Sequence, residues 1–243
     1  MIVYPRIIPI AQLGLPTHSP QVVLPTPPPI FEDPSRITGL RTYRWGDNPR
    51  RIHWPATAAT RQVMVKQFQP AIARESTLFL NMNRLDYPRK ERGYALELAI
   101  IAAASLAHHT LTHENLPAGF DTVALDPLAG AVRPFAIPPG KEPGQLMQIL
   151  EVLARIRPIE EGDFAARLRA QAVRLSWGAT VVVIGGGEEA GLVETLLWLR
   201  RAGFNPVLAL VGRPHPRAWL SRFPVPTFEI WREKDIEAWQ ATF

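Results

Sequence analysis

The sequence predicts an α/β fold with a doubly wound, mostly parallel sheet and a proline-rich N-terminal arm. An apolar run from Thr77 to Met82, typical of a strand, leads into the stretch from Gly93 to His113, which is apolar almost all round and long enough for a buried helix. Strand-like and helix-like segments then alternate to the end of the chain. Strand–helix–strand repeats with right-handed crossovers build a doubly wound sheet.

Apolar alternation and turn residues place the individual elements. A helix should begin after Asp163, a good N-cap residue, and another should end before Gly203. Asp126-Pro127 and Gly130 indicate a turn between two short strands. We predict strands at 61–70, 77–82, 120–125, 132–137, 179–184, 206–211 and 227–231, and helices at 93–113, 146–156, from 163 onward and 188–202.

The N-terminal region differs in composition from the rest of the chain. Nine of the 25 prolines fall within the first 34 residues, and proline fixes φ and removes a backbone donor. We therefore predict an extended arm over residues 1–38, a basic segment with a leading strand over 39–76, and the α/β domain over 77–243. With 47% hydrophobic residues, the chain has enough apolar material for a core.

Composition also restricts the chemistry and the compartment. The chain has no cysteine, which excludes disulfides and thiolate metal sites. The N-terminus lacks the pattern of a signal peptide, and the run Leu98–Ala107 is too short to cross a bilayer, so we expect the chain as given to be soluble. The net charge of +5 is concentrated at residues 36–66, where seven Lys or Arg face one acid, Asp47.

A rigid basic and aromatic segment follows the arm. Its residues are Gly39, Arg41, Tyr43, Gly46, Asp47, Arg51 and Trp54, followed by the small run Ala56–Ala58 and the strand Val65–Phe68. Gly46-Asp47 before Asn48-Pro49 is strong turn chemistry. At these intervals the segment resembles the hallmark of the domain of unknown function 58 family. The sequence departs from the family pattern at Ala59, where the family usually has an arginine.

The resemblance implies a fold and a site. It implies a von Willebrand factor type A-like, Rossmann-like sheet, which in many members carries a metal-ion-dependent adhesion site built from Asp-x-Ser-x-Ser, a Thr and an Asp. Mg²⁺ requires hard oxygen ligands, at least one of them anionic. The corresponding positions here are Asn81, Asn83, Leu85, Gly162 and Gly186. They offer no carboxylate, and only Asp86 and Asp163 lie near enough in sequence to replace one, so we predict a degenerate site with no metal and no cofactor.

The resemblance also implies partners and a location. Members of the family associate with a MoxR-type AAA ATPase and are anchored by N-terminal helices that this sequence does not contain. We therefore expect a non-catalytic protein–protein interaction module, not an enzyme, at the cytoplasmic face of a membrane. No nucleic acid partner is expected, although binding of an anionic polymer through the basic segment 36–66 is one alternative.

A second alternative is a nucleotide-dependent enzyme. Gly185 to Ala190 follows a strand and matches G-x-G-x-x-A, and Arg213 after the next strand would meet a 2′-phosphate. Glu188 and Glu189, however, put negative charge where the pyrophosphate would lie. A tight strand-to-helix turn is the preferred interpretation of this run.

Two further clusters have structural explanations. His109 and His113 have the spacing of two metal ligands on a helix, but histidines in a last helical turn also favour the helix dipole. Glu160, Glu161 and Asp163 are typical of the acidic N-terminus of a helix. We therefore assign neither cluster to catalysis.

Overall fold

The fold is described by a computed structural model that covers residues 3–10, 32–44, 49–70 and 75–239. Backbone contacts divide the chain into two compact units. The first comprises residues 1–20 and 73–243, and the second comprises residues 21–72. The limits of these units differ from the predicted boundaries at residues 38 and 76. Position 38 lies inside a single strand, Glu32–Thr42.

The first unit is built on a six-stranded sheet. Its strands are β3 (Ser76–Leu80), β4 (Ala118–Asp126), β5 (Ala131–Gly140), β6 (Thr180–Gly185), β7 (Asn205–Val211) and β8 (Thr227–Ile230). The order across the sheet is β5-β4-β3-β6-β7-β8, and only the β4–β5 pair is antiparallel. The predicted mostly parallel, doubly wound sheet is confirmed.

Helices cover both faces of this sheet. The central strands β3 and β6 are buried along their whole length, as strands between two helical layers must be. One face packs on α2 (Arg92–Thr112), α3 (Gln145–Arg155) and α7 (Glu233–Ala238). The other face packs on α4 (Phe164–Ala172), α5 (Leu192–Arg201) and the short α6 (Arg217–Leu220). Because β4, β3, β6, β7 and β8 are parallel, their carboxyl ends lie at the same edge of the sheet.

Helix α2 is the central element of the first face. Its inner residues include Ala95, Ala99 and Ala102 to Ala104, all fully buried, and small side chains allow a close approach to the sheet. By its length and apolar composition α2 could also cross a membrane. However, 67% of an apolar 18-residue stretch of this helix is buried inside the protein. Burial of this kind is equally typical of the central helix of a globular core.

The extreme N-terminal segment packs against α2. Ile8 and Ile10 are buried in the same cluster as the helix, and the Ile8 amide donates a 2.9 Å hydrogen bond to the Ser105 hydroxyl. Part of the predicted proline-rich arm thus contributes to the core. Residues 11–31 of the arm lie outside the described residues.

The second unit contains a two-stranded antiparallel sheet. Strand β1 (Glu32–Thr42) pairs with β2 (Met64–Pro70), with irregular register between Asp33 and Gly39. Helix α1 (Trp54–Thr60) precedes β2, and the His53 ring nitrogen accepts a hydrogen bond from the Ala56 amide at its N-terminus. The sequence analysis placed the first part of β1, which contains Pro34, in the extended arm and predicted no helix at α1.

Two predicted elements have different bounds in the structure. The helix predicted at 188–202 begins only at Leu192, because Gly191 has a φ of +72° and interrupts the helical path. Strand β2 begins at Met64 rather than at residue 61, since Arg61 is in the left-handed region at the end of α1. The end of α5 is as predicted, with Gly203 at a φ of +91°.

The predicted N-cap of α4 is confirmed and is testable. The Asp163 carboxylate accepts a 2.7 Å hydrogen bond from the Ala166 amide. Asp163→Ala should lower the free energy of unfolding by about 1 kcal/mol, since a helix N-terminal donor loses its partner. Chemical denaturation measures the loss. Glu161→Ala, at an exposed neighbouring position, should change stability much less.

Candidate functional site

The candidate site lies at the carboxyl edge of the two central strands. The turn at residues 81–87 follows β3, and the glycine run at 185–187 begins at the last residue of β6. Because β3 and β6 are hydrogen-bonded neighbours, these two loops must pass beside each other. The loop at 159–163 joins them through a parallel bridge between Asn83 and Ile159. The sheet therefore brings together the five positions that the sequence assigned to a degenerate adhesion site.

Asn81 is the centre of a buried hydrogen-bond network. Its side-chain amide donates to Oδ2 of Asp86 at 2.9 Å and to Oε1 of Glu189 at 2.8 Å. Its side-chain oxygen accepts from the Asn83 amide at 2.9 Å, and its carbonyl accepts from the Tyr87 hydroxyl at 2.7 Å. Asn81, Tyr87 and Glu189 are buried. One amide group thus links two carboxylates from different loops.

The remaining residues of the turn extend the network to the surface. Oδ1 of Asn83 accepts from the Leu85 amide at 3.1 Å, which fixes the short 3-10 turn Arg84–Asp86. Arg84 forms an exposed ion pair with Glu160 at 2.9 Å. The Leu85 side chain is 48% exposed, so the tip of the turn presents an apolar group to solvent.

The glycine run is required by close packing. A Cβ on Gly186 would collide with the Asp86 carbonyl and the Tyr87 Cα, and a Cβ on Gly185 would collide with the Glu189 carboxylate. Gly187 has a φ of +79° and faces the Trp219 ring. The backbone of the run therefore lies directly against the turn after β3. This packing accounts for the glycines without a bound phosphate.

Burial sets the electrostatics of the site. It raises the pKa of Glu189 from 4.5 to about 7, an effect that the hydrogen bond from Asn81 opposes and the neighbouring Asp86 reinforces. Burial also raises the pKa of Asp86, again against the hydrogen bond from Asn81. Oε2 of Glu189 has no hydrogen-bond partner among the described residues. The two carboxyl groups therefore resist carrying full negative charge together.

The residues at this edge do not fit a magnesium ion. Asn81 directs N–H groups, not an oxygen, toward the two carboxylates, and its own oxygen is already bonded. The Asn83 oxygen is bonded to the backbone, and the Asp163 carboxylate caps α4. The other three positions, Leu85, Gly162 and Gly186, have no side-chain oxygen. Within the described residues, no group of three or more His, Asp or Glu is placed to hold a metal ion.

Glu189 was placed differently by the sequence interpretation. It was counted there, with Glu188, as charge that a pyrophosphate would meet, whereas the structure buries Glu189 and leaves Glu188 exposed. Helical periodicity could not predict the burial of Glu189, because this residue precedes α5, which begins at Leu192. The one available signal was a pair of acids directly after a buried strand and three glycines.

The basic and aromatic segment belongs to the second unit. Gly39, Arg41 and Tyr43 lie on or just after β1, whereas Gly46 and Asp47 lie outside the described residues. Trp54 begins α1 and is 68% exposed. Nothing in the described geometry favours the anionic-polymer alternative over a solvated basic surface.

The paired histidines take part in packing at the end of α2. The rings of His109 and His113 stack with centroids 5.0 Å apart. Burial lowers the pKa of His109, the neighbouring His113 and His108 add to the shift, and the Ile10 backbone opposes it. The histidines therefore pack as rings, and the lowered pKa of His109 disfavours the charged form that the helix-dipole explanation requires.

These features define a class: a doubly wound α/β domain whose central crevice is closed by side-chain hydrogen bonds. The family model described as protein of unknown function DUF58 matches residues 39–199, about two thirds of the chain, and the chain therefore belongs to that family. This confirms the resemblance found in the sequence. No curated protein matches the chain.

Solved structures align with parts of the chain at low identity. An aerotolerance-related membrane protein from Bacteroides fragilis is 22% identical, with a TM-score of 0.44 over 58% of this chain and 68% of that one. A von Willebrand factor type A protein from Catenulispora acidiphila is 14% identical, with a TM-score of 0.44 over 72% of this chain and 42% of that one. The SpRpn10 VWA domain is 7% identical, with a TM-score of 0.42 over 70% of this chain and 98% of that one.

The close approach of the two loops predicts that substitution by alanine destabilises the protein at Gly186 but not at Gly93. Gly186→Ala should lower the free energy of unfolding by about 1–3 kcal/mol, because the added methyl group collides with the backbone of Asp86 and Tyr87. Gly93→Ala is the matched control. Its methyl group would enter open space in α2, so it should leave stability unchanged or raise it by up to about 1 kcal/mol. Equal effects in urea denaturation would contradict this packing.

The buried Glu189 predicts a pH dependence of stability. Its pKa is 4.5 ordinarily and about 7 in the fold, so the proton is bound more tightly by the folded state. Its contribution to stability is therefore fully present below about pH 4.5 and is lost as pH rises to about 7. The loss should be on the order of 3 kcal/mol.

Glu189→Gln removes this titration while it keeps an acceptor for Asn81. The free energy of unfolding of the variant, measured between pH 4 and pH 8, should lack the part of the decrease with rising pH that Glu189 contributes. Glu188→Gln, at the exposed neighbouring position, should retain the wild-type profile. Identical profiles for wild type and Glu189→Gln would show that this carboxyl is not the titrating group.

Proposed function

We propose that this protein is a non-catalytic protein–protein interaction module that acts without a metal ion. The proposal is supported chiefly by the Asn81 amide, which donates to Asp86 and Glu189 at the place where the carboxyl ends of the central strands meet. Open α/β sheets bind their ligands at this edge. Here the Asn81 side chain is fully hydrogen-bonded to Asp86, Glu189 and the Asn83 amide, and the exposed tip carries Arg84 and Leu85.

The site also lacks the features of a catalytic centre. Glu189 is buried, and its bonded oxygen faces the Asn81 amide, so no substrate reaches it without a rearrangement of both loops. Asp86 is held by the same amide group. A general acid or base must lie within hydrogen-bond reach of a substrate atom. The buried pair supports a structural role for both carboxyl groups.

The partner we propose is a MoxR-type AAA ATPase. The support is family membership and the resemblance from which the partner was first expected. We further propose that the intact protein is held at the cytoplasmic face of a membrane. Binding would use the turn at 84–86, where a half-exposed leucine and an exposed ion pair project from a rigid network.

Docking through this turn predicts a selective loss of binding. Leu85→Glu should weaken binding of the purified MoxR-type ATPase from the same organism by at least about tenfold, since a charge replaces an apolar contact. Isothermal titration calorimetry measures the affinity. Val173→Glu is the matched control, because Val173 is 73% exposed and follows α4 at the amino end of the parallel strands.

Metal independence is tested in the same system. The affinity should be unchanged when Mg²⁺ is replaced by a chelator, and Mg²⁺ alone should not raise the melting temperature. A saturable rise in melting temperature with Mg²⁺, or binding that requires Mg²⁺, would overturn the metal-free proposal.

Equal losses of affinity from Leu85→Glu and Val173→Glu would overturn the assignment of the docking surface.

A further inference from the structure

A second cleft lies two strands away from the Asn81 network. It has a volume of about 600 Å³ and is bounded by the residues before and within the first turn of α2, by the turn after β7 and by the turn after β8. Pro88 leads into α2 and packs on Gly212 at the end of β7, which fixes one wall relative to another. All lining residues belong to the first unit.

The cleft is strongly basic. Lys90, Arg213 and Arg232 come from three different segments, whereas Glu91 is the one acid among the lining residues. None of the three cations forms an ion pair with a described residue. Their charges therefore face solvent without internal neutralisation. Three cations converging on one concave surface favour an anionic ligand.

The backbone of α2 adds to this preference. The helix has 21 residues, and its N-cap residue Glu91 makes no side-chain capping hydrogen bond. The Ala95 amide donates to the Glu91 carbonyl and the Glu91 amide donates to the Pro88 carbonyl, so the amides of residues 92–94 precede the first intrahelical bond at the positive end of the helix dipole. Gly93 leaves open space above this turn.

Aromatic groups distinguish the cleft from a simple basic surface. Tyr94 is 53% exposed, and Trp231 lies beside Arg232, whose guanidinium carbon is 4.0 Å from the indole centroid. Stacking on the ring restricts the arginine side chain and leaves its N–H groups for a ligand. Tyrosine, tryptophan and arginine are the residues that dominate binding energy in protein interfaces.

We infer that this cleft binds an acidic segment of a partner protein, with carboxylates on the three cations and an apolar side chain between the two aromatic rings. The inference rests on the proposed interaction function, but it concerns a separate surface. Lys90, Arg213 and Tyr94 are exposed, so a small ligand would remain largely in water, unlike the ligands of enclosed pockets.

The test uses a labelled peptide of glutamates around a central leucine, titrated with the full chain and followed by fluorescence anisotropy. The wild-type protein should bind this peptide and not its lysine counterpart, with an affinity that decreases as salt increases. Arg213→Glu combined with Arg232→Glu should weaken binding at least about tenfold. Tyr94→Ala, which leaves the charge unchanged, should weaken it several-fold.

Two controls make the inference falsifiable. Arg169→Glu reverses an exposed charge on α4, on the other face of the sheet, and should leave peptide affinity unchanged. An equal loss in this variant would show a general basic surface and overturn the inference. Inorganic phosphate that binds while the peptide does not would also overturn it. Circular dichroism of each variant confirms that the fold is retained.

The separate surfaces distinguish the two proposals. Leu85→Glu should retain peptide binding, because Leu85 does not line the cleft. Loss of the ATPase interaction with peptide binding intact would remove the proposed partner alone. Failure of the peptide with the ATPase interaction intact would remove the acidic-segment inference alone.

Discussion

The contact between two loops at the centre of the sheet determines the character of this domain. Strands β3 and β6 are direct neighbours, so the chain leaving one must pass the chain leaving the other within van der Waals distance. Glycine at 185–187 permits that approach, and it leaves room for the Glu189 side chain to turn back toward β3. A buried carboxylate needs a donor there, and the Asn81 amide supplies it while it also holds Asp86.

The Asn81 side-chain amide connects two acidic side chains as a neutral donor. Two N–H groups hold two acidic side chains together, but they contribute no net charge. The carboxyl groups consequently keep a tendency to bind a proton, which is visible in the raised pKa of both. The network satisfies every polar atom of the Asn81 side chain, whereas Oε2 of Glu189 has no partner among the described residues. The hydrogen bond from the Leu85 amide to Asn83 connects the surface turn 84–86 to this network.

The sequence was sufficient for most of the first unit and for the location of the site. Apolar segments such as 77–82 and 179–184 are stable as strands buried between two helical layers. Because these strands are parallel, their carboxyl ends meet at the same edge of the sheet. Residues in turns were harder to place. The burial of Glu189 depends on a left-handed glycine and a close backbone contact, neither of which has a periodic signature. Strand β1 was hidden because a proline-rich composition also suits an extended arm.

The edges of the sheet limit how another chain can attach. At one edge, β5 contains prolines at 134, 138 and 139 among its ten residues, so it presents an interrupted row of N–H donors. At the other edge, β8 has only four residues. Neither border offers a long template for an added strand, and this domain is thereby protected against open-ended self-association. Side chains that project from the connecting loops can be substituted without altering these edges.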